Sequence, residues 1–231
     1  MGHGFIRSKR QKKGGPMKKR YFVICGLITL AMLVAGLVLY PHLPEQVPTH
    51  WNLHGNVNGY SSRFQAVVIM PAIMGGIMLM FAVLPVLSPR HFEIEPFLST
   101  YLYLMLVITV ALAYFQVIIL WAAFRPGLPI NQTILGGICV LWMLMANVTG
   151  KIKRNFFIGI RTPWTLASEQ VWYATHRFAA RVWMWSGLIG LLLAFFYPLA
   201  VIVVIIGSGF VPVVQSFVYY KRLERQGAFS S

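Results

Sequence analysis

Residues 155–183 read NFFIGIRTPWTLASEQVWYATHRFAARVW and separate two apolar segments of membrane length. Polar, charged and aromatic side chains alternate densely in this stretch, whereas the segments on either side are nearly free of charge. A connection between two packed helices needs only a few residues. This stretch is therefore more than a connection between two helices. The apolar segments on either side of it decide the fold.

The composition of the chain is that of an integral membrane protein. Hydrophobic residues make up 58% of its 231 residues and charged residues 11%, against about 45–50% and about 25% in soluble domains. The net charge of +15 comes from Lys and Arg grouped at the ends of apolar segments. That placement is typical of topology signals, so we expect no direct contact with nucleic acid.

Six apolar segments are long enough to span a membrane, since a spanning helix needs about 20 apolar residues. Four of them are separate, and a fifth and sixth fill the long segment 182–220, with a turn near Tyr197 and Pro198. The predicted fold is an all-α polytopic membrane helix bundle with six transmembrane helices. Prolines inside two of these segments, the second and the sixth, predict bends that neighbouring helices must accommodate. The four separate segments are 21–39, 65–87, 97–124 and 131–149.

The distribution of basic residues predicts the orientation of the bundle. Six spans place both termini on one side, and that side then holds eighteen of the twenty Lys and Arg. Because cytoplasmic loops retain basic residues, both termini are predicted to be cytoplasmic (N-in/C-in). The loop 41–64 is then external and the segment 150–181 cytoplasmic. The expected units are a basic disordered tail (1–20), a two-span unit (21–87), a four-span unit (88–220) and a basic C-terminal tail (221–231).

The external loop reads PHLPEQVPTHWNLHGNVNGYSSRF. Its prolines favour extended backbone, and its Gly and Asn residues favour turns. Glu45, His50 and His54 are of metal-ligating types, but the prolines oppose the helix that would bring the two histidines together, and a fourth ligand is missing. Three interpretations stay open: a metal site, a rigid polar lid with Trp51 at the membrane interface, or a ligand-recognition surface.

The cytoplasmic segment has the pattern of a capped helix. Thr162 followed by Pro163 is typical of a helix start, and Glu169 suits the positive end of the helix that follows. An apolar stripe in that helix avoids His176 and Arg177, which predicts an amphipathic interfacial cytoplasmic helix before the fifth span. Within the cap, Arg161 can pair with Glu169 or hold helix-end carbonyls. We expect Arg161→Ala to be more damaging than Arg177→Ala.

Catalytic and cofactor motifs are missing from the sequence. It contains no GxSxG, HExxH or phosphate-binding loop and no paired aspartates, so we assign no catalytic residue, cofactor or bound metal. Two alternatives remain beside a non-enzymatic role. One is a membrane-embedded enzyme or metal-dependent site that uses Glu45, His50 and His54. The other is a small-molecule or lipid transporter between the second and sixth spans, although ionisable residues are nearly absent from the spans.

Two motifs resemble known families. Residues 43–64, LPEQVPTHWNLHGNVNGYSSRF, resemble the DUF1648 signature, in which Asp is common at the position of Asn58. Residues 155–177 resemble the signature of the SdpI-like membrane proteins, N-x-x-(I/V)-G-I-R-T-P-W-T-L-x-(S/D)-E-x-x-W-x-x-T-H-R. The resemblance extends over about residues 21–220 and implies a multi-pass protein of the bacterial plasma membrane.

The resemblance also implies a function and its sites. It implies an immunity and signal-transduction protein that gives resistance to a membrane-active peptide toxin of the sporulation-delaying type and sequesters a cytoplasmic repressor. The implied partners are the lipid bilayer, a peptide toxin outside and a repressor protein inside. The candidate toxin-binding residues are Glu45, His50, Trp51, Asn52, His54 and Gly55. The cytoplasmic motif consists of Asn155, Gly159, Arg161, Thr162, Pro163, Trp164, Thr165, Glu169, Trp172, His176 and Arg177.

Overall fold

The structure, a computed structural model, describes residues 15–89, 93–125 and 127–228. It confirms a multi-pass, all-α membrane bundle, to which one small hairpin is added. The elements are α1 (Gly15–Leu39), β1 (Gln46–Trp51), β2 (Val57–Ser62), α2 (Arg63–Leu87), α3 (Leu98–Phe124), α4 (Ile130–Thr149), α5 (Pro163–Ala167), α6 (Glu169–Leu193) and α7 (Pro198–Arg225).

The first helix starts earlier than the sequence predicts. α1 begins at Gly15, so the last six residues of the expected disordered tail are helical, and residues 1–14 of that tail lie outside the described residues. The extension is explained by packing, because Met17 and Tyr21 pack against the buried cluster around Tyr101 and Trp172.

In the part of the chain that the structure describes, five helices are long and apolar enough to cross a membrane: α1, α2, α3, α4 and α7. α6 is absent from this group because its first half carries Glu169, Arg177 and Arg181. It nevertheless runs antiparallel to α4, with Arg177 beside Gly150 at one end and Gly190 beside Cys139 further along. Residues 177–193 therefore lie at the same depth as α4, which supports the predicted fifth span and brings the total to six.

The bundle consists of two groups of three helices that meet where α3 contacts α4. In one group α3 packs against α1 and α2, and in the other α6 packs between α4 and α7. The buried cluster around Tyr101 is centred in the first group and also includes Val148 of α4 and Trp172 of α6, whereas the cluster around Cys139 lies within the second group. A third cluster around Val47 and Leu120 joins the hairpin to the outer ends of α2 and α3.

The prolines inside α2 and α7 are accommodated by side chains of neighbouring helices. A proline has no N–H, so the carbonyl four residues before it loses its helical hydrogen bond. In lipid that carbonyl needs another donor. Each of the three freed carbonyls accepts a hydrogen bond from a side chain on a packed helix: Val67 O from Gln116 Nε2 (3.3 Å), Phe81 O from Tyr101 Oη (2.9 Å) and Ser208 O from Trp183 Nε1 (3.0 Å).

Candidate functional site

The external loop forms a short antiparallel β-hairpin, here called the external hairpin (residues 46–62). Its tip is organised by Asn52, whose Oδ1 accepts hydrogen bonds from the backbone N–H groups of His54 (2.9 Å) and Asn56 (3.0 Å). Gly55 completes the turn with a φ of +81°, in the left-handed region that favours glycine. Asn52 and Gly55 thus fix the conformation of the turn, Asn52 by accepting backbone hydrogen bonds and Gly55 by its positive φ.

The external hairpin is attached to the bundle at two points. At its base, the fully buried Val47 packs with Leu43, Val67 and Leu120. At its tip, Asn131 Nδ2 at the start of α4 donates to the Leu53 carbonyl at 2.7 Å. A two-stranded hairpin is marginal on its own. Its shape is therefore set by the helices beneath it.

The histidines and the glutamate of this loop stay exposed. Glu45, His50 and His54 all face solvent, while Trp51 is half-buried. His50 Nδ1 lies 2.6 Å from Oδ1 of Asn58, across the hairpin. Within the described residues no group of three His, Cys, Asp or Glu side chains could hold a metal ion. The structure thus does not assemble Glu45, His50 and His54 into the metal-dependent site considered above.

On the cytoplasmic side, the segment from Gly150 to His176 folds into a compact unit, here called the cytoplasmic cap (residues 150–176). Asn155, fully buried, holds its first turn. Its Nδ2 donates to the carbonyls of Lys153 and Ile158, both at 2.9 Å. Its Oδ1 accepts from the N–H groups of Phe157 (2.8 Å) and Ile158 (2.7 Å). No other side chain of this size offers two donors and an acceptor in this arrangement.

His176 joins the cytoplasmic cap to α6. Its Nε2 accepts from the Ile160 N–H at 3.0 Å, and its Nδ1 lies 2.8 Å from the Trp172 carbonyl. An N–H can only donate and a carbonyl can only accept, so the ring is neutral with its proton on Nδ1. The sequence places His176 on the polar side of an interfacial helix, whereas the structure buries it completely.

Gly159 makes this contact possible. It has a φ of +110° and lies against the imidazole of His176, where a Cβ would collide with Nε2. The indole of Trp172 stacks on the face of the same imidazole, with 4.1 Å between ring centroids. Trp172 Nε1 in turn donates to the Ile152 carbonyl at 2.8 Å. Trp172 and His176 thus form a buried stack, and Gly159 lies against its edge at the surface.

The predicted helix start at Thr162 is found, but it begins a five-residue helix rather than the long one. Thr162 and Thr165 form a reciprocal capping box, with Pro163 in the first turn of α5. A second cap, Ser168, starts α6 at Glu169. The amphipathic stretch predicted before the fifth span forms the first turns of α6, which continues into the membrane. Its apolar side packs against the cap.

Trp164 fixes the cytoplasmic cap to the last helix. Its Nε1 donates to Ser216 Oγ of α7, and its ring meets the Phe217 ring edge-on, with centroids 5.2 Å apart. Ser216 is itself fully buried. The cap therefore contacts both α6 and α7, and a displacement of either helix would be transmitted to it.

The arginines of the motif lie at its surface. Arg161 Nη1 donates to the Phe156 carbonyl at 2.7 Å and so closes the turn around Gly159. It does not pair with Glu169, which is exposed at the start of α6; within the described ranges no such ion pair is present. Arg177 is exposed, and its stem passes Gly150. Arg161 was expected either to pair with Glu169 or to hold helix-end carbonyls. It does hold a carbonyl, that of Phe156, but this carbonyl is not at a helix end.

Burial lowers the pKa of His176 to about 4, although the hydrogen bond to the Trp172 carbonyl opposes the effect. The group lies outside the membrane-spanning part of α6, beyond the level at which α4 ends. Both of its nitrogens are engaged by backbone groups. His176 is thus a structural histidine, and it is not arranged to move a proton to a substrate.

Several partners that build these sites were not predicted. Four of them are polar residues in otherwise apolar helices, and the fifth, Ser168, belongs to the SdpI-like signature but was given no role. The first of them, Gln116, had a signal in the sequence: it is a lone amide in a long apolar span, in a chain with prolines inside its helices. The missed residues are Gln116, Asn131, Ser168, Ser208 and Ser216.

Two family profiles and one curated protein match the chain. Residues 151–219 match the SdpI/YfhL protein family, and residues 27–75 match DUF1648, a domain of unknown function. The chain is 29% identical over 214 residues to the immunity protein SdpI of Bacillus subtilis (strain 168), an alignment that covers 90% of this chain and 98% of that protein. No solved structure matches the chain.

Proposed function

Because the chain belongs to the SdpI/YfhL protein family, we propose that it is a membrane immunity protein that protects a cell from a membrane-active peptide toxin. The observation that carries this proposal is the similarity to the immunity protein SdpI along nearly its whole length. The proposal divides the chain into a two-span unit (21–87) that bears the external hairpin and a four-span unit (88–220) that bears the cytoplasmic cap.

The external hairpin is the proposed contact for the toxin. Its backbone is held by Asn52 and by the Asn131–Leu53 hydrogen bond, while the side chains of Glu45, His50 and His54 are exposed. A preformed surface loses little conformational freedom on binding, which favours affinity. Asn52 and Gly55 act through the shape of the turn, and the exposed side chains make the contact.

The test is protection of a toxin-sensitive strain. Cells that lack their own immunity gene would express the chain and be exposed to the sporulation-delaying peptide toxin. We expect survival with the wild-type chain and a loss of protection of about tenfold or more for a His50→Ala, His54→Ala double variant. His42→Ala is the matched control, because His42 is exposed on the same side but lies outside the hairpin. Killing that is unchanged by the wild-type chain contradicts the immunity function itself.

A finer role is sequestration of a repressor by the cytoplasmic cap. The supporting observation is that the cap presents Phe156, half exposed, and the charged side chains of Arg161 and Glu169 on a backbone that Asn155 holds fixed. Exposed aromatic and Arg side chains are common at the centres of protein interfaces. A repressor partner should therefore co-purify with wild-type membranes in toxin-treated cells, and Phe156→Ala should abolish its recovery while protection persists.

The transporter alternative has less support. It places a cavity between the second and sixth spans, α2 and α7. In the structure α2 packs against α1 and α3, whereas α7 packs against α4 and α6. The two helices thus belong to different groups of the bundle, and neither borders the other along its length.

A further inference from the structure

We propose that the cytoplasmic end of α7 binds an anionic phospholipid, a role that does not depend on toxin immunity. The end of this helix carries a cationic cavity and, next to it, an apolar one, both open at the surface because all their lining residues belong to α7 or to Gln226 directly after it. The two share Val218, and each matches one part of a phospholipid molecule.

The cationic cavity has a volume of about 600 Å³ and is lined by Phe217, Val218, Lys221, Arg222, Arg225 and Gln226. Lys221 is partly neutralised, because its Nζ lies 2.7 Å from Oε2 of Glu224. No ion pair within the described ranges involves Arg222 or Arg225. Guanidinium groups bind phosphate through paired, charge-assisted hydrogen bonds, so this end of the cavity suits an anionic headgroup.

The apolar cavity, of about 470 Å³, lies on the same face of α7 and is lined by Phe210, Val211, Val214, Gln215 and Val218. Val218 borders both cavities. Phe210 and Val214 are more than 60% exposed in a helix that crosses the membrane, so hydrocarbon covers them. An acyl chain in this position would continue directly from a headgroup held at Arg225.

The combined length of the two cavities along α7 favours a lipid over a soluble anion as the ligand. From residue 210 to residue 225 a helix rises about 22 Å at 1.5 Å per residue. One leaflet of a bilayer, headgroup included, is about 20–22 Å thick. A free phosphate would occupy only the cationic cavity and leave the apolar one unused. A phospholipid fills both, and basic side chains at the cytoplasmic surface attract anionic lipids in particular.

The test is native mass spectrometry of the full-length protein in detergent, with equimolar phosphatidylglycerol and phosphatidylcholine added. We expect the wild-type chain to retain phosphatidylglycerol preferentially. A Lys221→Gln, Arg222→Gln, Arg225→Gln variant should retain it about tenfold less. Val218→Trp, which fills the point where the cavities meet, should lower retention while leaving all cations in place. The Trp is tolerated at this position because Val218 is 60% exposed.

A charge-matched control separates a site from general attraction. Lys18→Gln, Lys19→Gln, Arg20→Gln removes the same number of cations from another cytoplasmic helix end, in α1. Retention equal to wild type in this control supports the site. An equal loss in both triple variants overturns it, as does full retention by Val218→Trp. Displacement of the lipid by millimolar inorganic phosphate would also overturn it, because the ligand would then be a soluble anion.

Discussion

At the scale of single residues, the cytoplasmic cap depends on a histidine that must remain neutral. His176 accepts a hydrogen bond from Ile160 N–H and donates one to the Trp172 carbonyl. Protonation of Nε2 would remove the acceptor and place a cation against a backbone N–H in a buried stack. A charge without a partner is strongly unfavourable in such a place. The structure therefore couples the integrity of the cap to pH.

Acidification should destabilise the cap through this residue. The folded pKa of His176, about 4, lies below its ordinary value of 6.5. The stabilisation is thus complete above pH 6.5 and is lost as the pH falls towards 4, because the unfolded chain takes up the proton first. The loss amounts to about 3 kcal/mol at most, at about 1.4 kcal/mol per pH unit. Thermal unfolding in detergent between pH 7.5 and 4, followed by tryptophan fluorescence, measures it.

A His176→Gln variant is the control, since glutamine does not titrate. It should be less stable than wild type at pH 7.5, and the gap between the two proteins should narrow as the pH falls. Any other group that changes its charge between pH 7.5 and 4 affects both proteins alike. A gap that stays constant from pH 7.5 to 4 would show that His176 is not the group responsible.

The two arginines of the motif should differ in importance. Arg161→Ala removes the hydrogen bond to the Phe156 carbonyl and leaves the turn around Gly159 open, whereas Arg177→Ala removes an exposed side chain that passes Gly150. We expect Arg161→Ala to lower the unfolding free energy by about 1 kcal/mol, as is typical of one hydrogen bond. Arg177→Ala should change it by less than about 0.5 kcal/mol. Denaturant titrations of both variants provide the comparison, and equal effects would remove any dedicated role for Arg161.

At the scale of the elements, α2 and α7 can contain prolines because a neighbouring helix supplies the missing donor. The clearest case is Pro85, where Tyr101 Oη donates to the freed Phe81 carbonyl at 2.9 Å. The arrangement links helices as well as satisfying a carbonyl, since each donor lies on a different helix from its acceptor. The positions of the prolines in these helices are thus tied to specific side chains.

Tyr101→Phe should destabilise the bundle through the Phe81 carbonyl. The substitution preserves the ring and removes only the hydroxyl, so we expect a loss of about 1 kcal/mol, within the range measured for hydrogen bonds in membranes. The effect should shrink in a Pro85→Ala background, because alanine restores an N–H for the same carbonyl. Unfolding in mixed micelles gives the four free energies of this double-mutant cycle.

Tyr114→Phe is a suitable comparison. Tyr114 Oη donates to the Thr133 carbonyl at 2.7 Å, and the residue four places after Thr133 is Gly137, which has an N–H of its own. The Tyr114 hydroxyl is therefore not needed to satisfy that carbonyl. Equal losses in Tyr101→Phe and Tyr114→Phe, with no coupling to Pro85→Ala, would contradict the compensating role of Tyr101.

Features that depend on local contacts could be predicted from the sequence, whereas features that depend on long-range contacts could not. Spans and helix starts depend on neighbouring residues, so the break near Tyr197 and the cap at Thr162 follow from local pattern. The donor for a freed carbonyl is far away in the chain, 49 residues in the case of Gln116 and Val67. The same holds for the external hairpin, whose tip is docked by Asn131, 78 residues from Leu53.

The burial of His176 was missed for a related reason. A stripe of apolar residues indicates one buried face of a helix, but here the cap folds back and covers a second face through Gly159 and Ile160. Periodicity within α6 cannot reveal a segment that packs on it from outside. The family motif includes Gly159 and His176, yet only the structure shows that the two positions touch.

At the scale of the whole molecule, the orientation depends on whether α6 crosses the membrane. α4 and α7 are apolar enough to do so, and α6 packs antiparallel between them. With six spans the end of α7 lies on the same side as the cytoplasmic cap, and the lipid site proposed there faces the cytoplasmic leaflet. With five spans the end of α7 would be external, and its cations would contradict the usual retention of basic residues inside.

Cysteine labelling can decide the orientation, because both native cysteines are fully buried. Cys25 and Cys139 have no exposed surface, so the unmodified chain should not react with a membrane-impermeant maleimide. Asn56→Cys at the tip of the external hairpin should be labelled in intact cells. Lys153→Cys in the cytoplasmic cap and Arg225→Cys at the end of α7 should be labelled only after permeabilisation. All three positions are exposed, so accessibility depends on the side of the membrane alone.

Labelling of Arg225→Cys in intact cells, with Lys153→Cys protected, would mean that α6 does not cross and that the bundle has five spans.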